Sequence, residues 1–535
     1  MPFSAFADFS DIPEEHWASA VIAEAVSAGI MNGRSAGEFG LGQTVTQAEF
    51  AAMLRRLMQW EQAAPQQPSF SDVSPDSWYF SEVEAALSGG ALTGGGAFRP
   101  EDAITREEMA VMLVRALGFG SLATQAGAPP FADVSTNAGY IAVAYEFGII
   151  NGKGASTFDP NGSALREEAA AMMMRLHDKY THKLDWLHGF YAISSWSQRE
   201  LAGEMDSVSF GWARLEYSAE KGVWLNTTGE GGNDWKIPDG AQDAVTFLKE
   251  RGVSLNLAVM MNTSQQAALA DGTQANACEA VLTDAQNRAA AVSQIAAAAQ
   301  GYDGVTIDFE GMKGAALRQG LNSFLAELRA ALGDKQIYTA VHPVMDGEYF
   351  DAYDYRAIGA VSDRVILMAH DYAAIRMEEN LREAGFTATP VTPQASIYTA
   401  LRAITDAETG VTDTDKIVLA VSLSSTAAWT LESGKVTNEF AIHPAMETVI
   451  KRLRQPDTAI TYHDDYKNPS AKYTDDEGHT VVLWYEDSRS VTDKIRLARM
   501  FGINKLSIWR IGAIPNDPAG GIHYDIWDAI SNERN

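Results

Sequence analysis

From about Lys183 to the end of the chain, short runs of apolar and β-branched residues alternate with longer stretches of helical periodicity. The runs are Leu187–Ile193, Asp206–Gly211, Val253–Met260, Gly304–Phe309, Gln336–Val341, Val365–Ala369, Lys416–Ser422 and Lys505–Trp509. Parallel strands need crossover connections, and strand–helix alternation supplies them. Eight such units over residues 185–535 predict an α/β (β/α)₈ barrel. Residues 425–488 break the alternation with a helix of their own (Pro444–Leu453) and two strands (Thr458–His463 and Thr480–Tyr485), an α+β insertion.

The first third has a different pattern, a threefold internal repeat. Phe9-Ser-Asp11, Phe70-Ser-Asp72 and Phe131-Ala-Asp133 open three copies spaced 61 residues apart. Trp17 and Trp78 keep the spacing, whereas the third copy has Gly139 there. Each copy continues with a helical stretch, a turn closed by Gly33, Gly94 or Gly152, an aromatic (Phe39, Phe98, Phe158) and a second helix. That helix opens Thr46-Gln47-Ala48-Glu49 and Thr105-Arg106-Glu107-Glu108, each a capping box in which hydroxyl and carboxylate satisfy orphan backbone N–H groups. The third copy, Leu165-Arg166-Glu167-Glu168, lacks the Thr. The chain therefore reads as multidomain, with repeats at 8–60, 69–118 and 130–178 and Pro-, Gln-, Ala- or Gly-rich linkers between them.

Composition narrows the function. Lys+Arg number 41 and Asp+Glu 70, a net charge of −29, which argues against a nucleic-acid partner because phosphate binding needs a basic face. One cysteine, Cys278, excludes an intramolecular disulfide or a cysteine-cluster metal site. His342, His443 and His463 lack metal-ligand spacing and read as surface or core residues; no metal or cofactor is expected. No apolar stretch is long enough to span a membrane. Residues 1–7 end in Ala5-Phe6-Ala7, a pattern like a signal-peptidase site, and are expected to be the remnant of an export signal.

Candidate chemistry concentrates in the fourth strand, Asp303-Gly304-Val305-Thr306-Ile307-Asp308-Phe309-Glu310. Alternation puts Thr306, Asp308 and Glu310 on the inward face. Two carboxylates two residues apart lie ~6–7 Å apart along the strand. They couple electrostatically, so that one holds a proton while the other is ionised, the split that acid work on a glycosidic oxygen requires.

The repeats resemble the S-layer homology module. That resemblance implies a compact α-helical, pseudo-threefold unit that grips secondary cell-wall polysaccharide, often pyruvylated, and a secreted protein of the bacterial wall or S-layer. It marks Arg106, Arg166, Trp17, Trp78, Gly33, Gly94 and Gly152 as polymer-binding residues, the arginines offering a bidentate fork to a carboxylate at a helix N-terminus. Gln47 departs from the arginine, so the first repeat is expected to have a weakened or absent anion site.

The barrel resembles family-18 glycoside hydrolases of TIM-barrel fold. The D-G-x-D-x-D-x-E signature matches at Asp303, Gly304, Asp308 and Glu310, with Thr306 for the middle Asp. Met368-Ala369-His370-Asp371 resembles the sixth-strand motif with His370 for the usual Tyr, and Trp509 matches the tryptophan that floors the pocket. Trp484-Tyr485-Glu486-Asp487, followed by Lys494, resembles the wall- and spore-lytic branch. The resemblance implies a substrate-assisted, retaining glycosidase with Glu310 as general acid/base and Asp308 orienting the substrate acetamido group. It implies Trp509, His370, Asp371, Tyr191, Asp303 and Thr306 as substrate-binding residues, Asp303 tending to a structural part and Asp371 to contact or to support of the acid. The expected substrate is a β-1,4-linked N-acetylglucosamine glycan, peptidoglycan before chitin. The alternative is a weak or inactive glycan-binding surface protein that retains the barrel.

Overall fold

The computed structural model describes residues 9–192, 195–269, 272–344, 350–517 and 519–534; residues 1–7, Asp8 and Ile193 lie outside the described residues. The chain divides into two compact units, Met1–His182 and Lys183–Asn535.

In the first unit each repeat contributes two helices: α1 (Ser19–Ser27) and α2 (Gln47–Leu57), α3 (Phe80–Ser88) and α4 (Arg106–Ala116), α5 (Ala138–Glu146) and α6 (Arg166–Thr181). The first helix of each pair ends at Gly29, Gly90 or Gly148, with φ of 71°, 81° and 66°, a left-handed position where glycine costs least. Both expected capping boxes are present: Glu49 N–H donates to Thr46 Oγ1 (3.2 Å) and Glu108 N–H to Thr105 Oγ1 (3.2 Å). In the third repeat Leu165 offers no oxygen, but Glu168 still accepts the Leu165 N–H (3.0 Å).

The helices interlock around a closed ring, α3 packing on α2, α5 on α4 and α1 on α6. At its centre Ile104 N–H donates to Val45 O (2.9 Å), Ala164 N–H to Ile104 O (3.3 Å) and Val45 N–H to Ala164 O (3.1 Å). Val45, Ile104 and Ala164 are fully buried, so each repeat closes its backbone hydrogen bonds only through the next. The Phe-x-Asp motif has a plain task. Asp11, Asp72 and Asp133 each accept N–H groups of the loop carrying the repeat's aromatic, at Phe39 (2.8 Å), Phe98 (2.7 Å) and Phe158 (2.8 Å).

In the second unit the strands are β1 (Trp186–Tyr191), β2 (Ser207–Ser218), β3 (Gly222–Asn226), β4 (Ser254–Asn262), the short hairpin β5 (Gln266–Ala268) and β6 (Gln274–Asn276), β7 (Gly304–Glu310), β8 (Gln336–Val341), β9 (Arg364–Met368), β10 (Ile417–Ser422), β11 (Thr426–Glu432), β12 (Lys435–Val436), β13 (Ala459–His463), β14 (Asn468–Thr474), β15 (Thr480–Tyr485) and β16 (Lys505–Ile511). Among the described residues, eight parallel strands run in the order β1-β16-β10-β9-β8-β7-β4-β2 and close through a β1–β2 pairing, with β3 antiparallel on the end of β2. This is the expected TIM barrel. β2 runs beyond the expected Gly211 into a hairpin that the sequence pattern did not suggest.

The insertion forms an antiparallel sheet in the order β12-β11-β15-β14-β13, with helix Met446–Leu453 beside it. Three of its strands, β11, β12 and β14, were not expected from the sequence. The Trp484–Asp487 motif fastens this sheet. Trp484 donates its indole N–H to Thr387 O (2.6 Å), Asp487 caps helix Ser488–Met500, and Glu486 and Lys494, each 2% exposed, form a buried ion pair at 2.7 Å.

Candidate functional site

β7 lies between β4 and β8, and its side chains alternate as its sequence requires. Thr306 and Asp308 point into the barrel, 0% and 2% exposed, and Glu310 follows at the C-terminal mouth. Asp308 Oδ1 has no hydrogen-bond partner among the described residues. Burial, then the charge of Glu310, pushes the Asp308 carboxyl well above the usual range. Burial also raises Glu310; the His370 ring lowers it and the Asp371 carboxylate raises it. The pair therefore holds a proton at a pH where exposed carboxyls are ionised.

His370 and Asp371 follow β9, one residue beyond Ala369. His370 Nδ1 donates to Asp371 Oδ2 (2.8 Å), and Ser425 donates to the other carboxylate oxygen. Desolvation alone would raise Asp371; the bonds from His370 and Ser425 and the nearby His443 ring outweigh it and hold the carboxyl below the ordinary range. Trp509, on β16, packs edge-on to Phe190 (5.4 Å) and near-parallel to Trp235 (6.0 Å, 23°) at the barrel mouth. Asp308, Glu310, His370, Asp371 and Trp509 are thus brought to one end of the barrel.

Three other expected substrate residues are not. Tyr191 pairs with Phe210, and their strands place His188, Phe190 and Ser209 inward, so Tyr191 points to the outer face against Phe210 and Trp212. Asp303 precedes β7 at the opposite end of the barrel, where its carboxylate accepts the Leu255 N–H (2.8 Å). Thr306 is sealed inside, its hydroxyl 2.6 Å from Ser209 Oγ. Ser209 in turn meets His188 Nε2 (2.7 Å), and His188 Nδ1 meets Ser507 (2.7 Å). Burial lowers the His188 pKa to about 3 and keeps the ring neutral within this polar chain.

Two further histidines, read from the sequence as surface or core residues, lie near His370 and Asp371. His443 holds its Nδ1 against Thr426 O beside Asp371, and His342 stacks on Phe350 (4.1 Å) with its pKa lowered to about 4, first by burial and then by His370. Their local sequence gives no sign of this, since strands and loops far apart in the chain bring them there.

In the first unit, Arg166 lies over the Phe39 ring (4.8 Å) and donates to Phe39 O (2.8 Å) and Asn32 O (2.7 Å) of the first repeat. Arg106 does the same to the third repeat, at Phe158 O (2.9 Å) and Asn151 O (2.6 Å). Gln47 takes this place against the second: its amide lies 3.0 Å from Phe98 O, to which its N–H₂ donates when turned toward the loop, and in the other orientation it reaches Glu108 (3.3 Å). The expectation that Gln47 weakens the first repeat is therefore corrected: it changes the junction built on the second repeat's loop. The first repeat's loop is served by Arg166, beside a cavity of about 410 Å³ lined by Asn32, Arg34, Glu49, Arg56, Trp78 and Arg166. The arginines are not free forks: Arg106 and Arg166 are 4% and 3% exposed. Trp17 and Trp78 are 62% and 58% exposed. Gly33 and Gly152 leave room for the rings of Phe9 and Phe131, which an added Cβ would meet at 2.4 and 2.5 Å, whereas Gly94 has only Leu87 nearby, at 3.6 Å.

The glycosyl hydrolases family 18 model matches residues 269–513, and the S-layer homology domain model matches residues 8–51, 69–110 and 130–170. The chain carries three S-layer homology repeats followed by a family-18 glycosyl hydrolase domain. An amylopullulanase of Thermoanaerobacterium thermosulfurigenes is 36% identical over 181 residues, 32% of this chain and 10% of that protein. The cortical fragment-lytic enzyme of Bacillus subtilis is 28% identical over 220 residues, 40% of this chain and 47% of that one. The chain thus spans from a tenth to about half the length of these curated relatives. The solved structure of the Bacillus cereus spore cortex-lytic enzyme superposes with a TM-score of 0.50 at 19% identity, covering 65% of this chain and 74% of that one, a likeness of fold. The family-18 match begins after β4, and the closed barrel adds β1, β2 and β4 to that domain. Among the described residues no His/Cys/Asp/Glu group could hold a metal ion, and no helix is long and apolar enough to cross a membrane.

Proposed function

We propose that the family-18 domain is a retaining glycosidase that cuts β-1,4 bonds at N-acetylglucosamine units, and that the S-layer homology repeats hold it to the secondary polysaccharide of a bacterial cell wall. The observation that carries the reading is the carboxyl pair Asp308 and Glu310, on one face of β7 at the barrel mouth, both pushed upward by burial. Glu310 in its acid form protonates the glycosidic oxygen as that bond breaks. The substrate's acetamido oxygen attacks the anomeric carbon from the opposite face, an intramolecular step favoured by proximity. Asp308, whose buried Oδ1 has no partner among the described residues, is the group for the acetamido N–H; when the proton the pair shares sits on Glu310, the Asp308 carboxylate offsets the positive charge of the cyclic intermediate. Glu310, now a carboxylate, takes a proton from the water that opens it.

His370 has Nδ1 committed to Asp371, which leaves Nε2 for the substrate; the imidazolium form donates from it in place of the usual tyrosine hydroxyl, whereas the neutral ring only accepts there. Trp509 offers its ring to the sugar face. The groove of Arg34, Arg56, Arg166 and Trp78 has the charge and the aromatic surface for an acidic, pyruvylated polymer. Peptidoglycan is the first substrate choice, supported by the likeness to the cortical fragment-lytic enzyme, and chitin the second.

Turnover of a chromogenic N-acetylglucosamine oligomer and of purified peptidoglycan by the wild type, lost in Glu310→Gln, is the expected result. Activity unchanged by that substitution rejects the acid. Pull-down on walls with and without secondary polymer tests the anchor, and equal binding to both rejects it.

A further inference from the structure

Outside the catalytic mouth, the outer face of β1 and β2 carries a second cavity of about 330 Å³, at the lower end of the ~300–1,000 Å³ range of small-molecule sites. Tyr191, Trp196, Trp212, Asp239 and Asp243 line it. Its floor is aromatic and polar together. Tyr191 is 4% exposed and Trp212 2%, yet no described residue takes a hydrogen bond from the Tyr191 hydroxyl or the Trp212 indole N–H. Two donors that open onto one cavity without a protein acceptor among the described residues are placed to meet an acceptor oxygen from outside the protein. Burial pushes Tyr191 up to about 12, which keeps its hydroxyl protonated and able to donate.

The rim completes the pattern. Asp239 and Asp243 are exposed and make no ion pair among the described residues, leaving their oxygens to accept from hydroxyl groups. Trp196 is 44% exposed even though Arg199 braces its ring at 4.7 Å. An aromatic wall, carboxylate acceptors at the rim and two donors at the floor match a pyranose with an acetamido carbonyl: apolar ring face, hydroxyls outward, acceptor oxygen inward.

We propose that this cavity is an accessory glycan site, which holds one N-acetylated sugar unit of a polymer chain away from the catalytic cleft. The choice of sugar rests on the glycosidase reading; the unpaired donors do not. Such a site acts by effective concentration, keeping an insoluble chain near the cleft while adding nothing for a short soluble substrate.

The test uses the full chain carrying Glu310→Gln, so that nothing is hydrolysed, and chitin, which carries no secondary wall polymer for the repeats. Adding Trp196→Ala or Asp243→Asn, both exposed positions, is expected to weaken chitin pull-down about fivefold or more, with Trp196→Phe keeping most of it. Tyr191→Phe, which removes one oxygen only, is expected to weaken it less. In the otherwise wild-type chain Trp196→Ala leaves turnover of the soluble chromogenic oligomer unchanged. Pull-down equal to the parent in Trp196→Ala and Asp243→Asn, or no binding of the parent to chitin, overturns the accessory site. A wild type that binds chitin but turns over no soluble oligomer removes the glycosidase reading instead, and the pull-down comparison still decides the cavity.

Discussion

The guanidinium of Arg166, in the third repeat, sits 4.8 Å above the ring of Phe39, in the first, and bonds the carbonyls of Phe39 and Asn32. The residue that opens one repeat's second helix thus completes another repeat's groove. Gln47 stands at the equivalent place with its side-chain amide 3.0 Å from Phe98 O, so that its N–H₂, turned toward the loop, pairs the carbonyl that the arginine pairs elsewhere. Arg166→Gln is therefore expected to fold, with a melting temperature within a few degrees of the parent. It loses the charge next to Arg34 and Arg56, and with it affinity for an anionic polymer, by roughly tenfold or about 1.4 kcal/mol, within the range of a charge-assisted bond. Titration of full-length variants with purified wall polymer checks this. Gln47→Arg is expected to strengthen the junction on the second repeat's loop.

The balance of charges around Glu310 predicts opposite movements of one pH limb. The acid must be protonated to act, and burial raises its pKa, so activity extends above the ordinary glutamate range before it falls. His370 lowers Glu310 and Asp371 raises it. His370→Asn should move the alkaline limb of the kcat/KM profile up, and Asp371→Asn should move it down. Glu310→Gln should lower kcat by roughly 10²–10⁴. Two limbs that move the same way would show that Glu310 is not the titrating acid.

How far the sequence could lead is clear from particular residues. The barrel was legible because parallel strands buried on both faces stand out as apolar runs between helical stretches. That same uniformity hid the parity of β1: Leu187-His-Gly-Phe-Tyr191 has no polar–apolar alternation, and only pairing with β2 shows that Phe190 faces in and Tyr191 out. Asp303 shares a short motif with Glu310 but stands at the other end of the strand, so proximity in sequence did not mean a shared site. β14 begins Asn468-Pro469 and carries Lys472, a poor strand by composition that forms because β13 and β15 flank it. Gln47 was read against its own repeat, whereas its partner loop belongs to the next one, a relation that exists only once the ring closes.

The buried ion pair of Glu486 and Lys494 gives a stability prediction with a definite sign. Removing one partner of a buried pair costs about 3–5 kcal/mol, because the other charge is left without compensation. Lys494→Met should therefore lower the melting temperature of the barrel markedly. Glu486 is already raised by burial, against the pull of Lys494, and loss of the lysine raises it further. A folded-state pKa above the unfolded value means stability present at low pH and lost as pH rises through the folded value. The variant should thus be less stable at pH 8 than at pH 5, as read by urea unfolding. Adding Glu486→Gln should restore much of the loss and flatten the pH dependence.

The repeats should respond to pH in the opposite sense. Asp11, Asp72 and Asp133 each hold the backbone N–H groups of an aromatic loop, and all three carboxyls lie below their ordinary value. At Asp11 and Asp72 burial is the largest influence and pushes upward, but the summed N–H bonds outweigh it; at Asp133 the bond from Phe158 leads. A depressed folded pKa contributes stability above the unfolded value and loses it as pH falls through the folded value. The first unit should therefore unfold on acidification below about pH 4, as these carboxyls take up protons. Asp72→Asn and Asp133→Asn each remove one titrating carboxylate and offer weaker acceptors to the same N–H groups. Each should be less stable than the parent at pH 7, with the gap closing toward pH 3. Thermal unfolding followed by circular dichroism across that range checks it. A gap that widens in acid would mean that these aspartates act through something other than their ionised form.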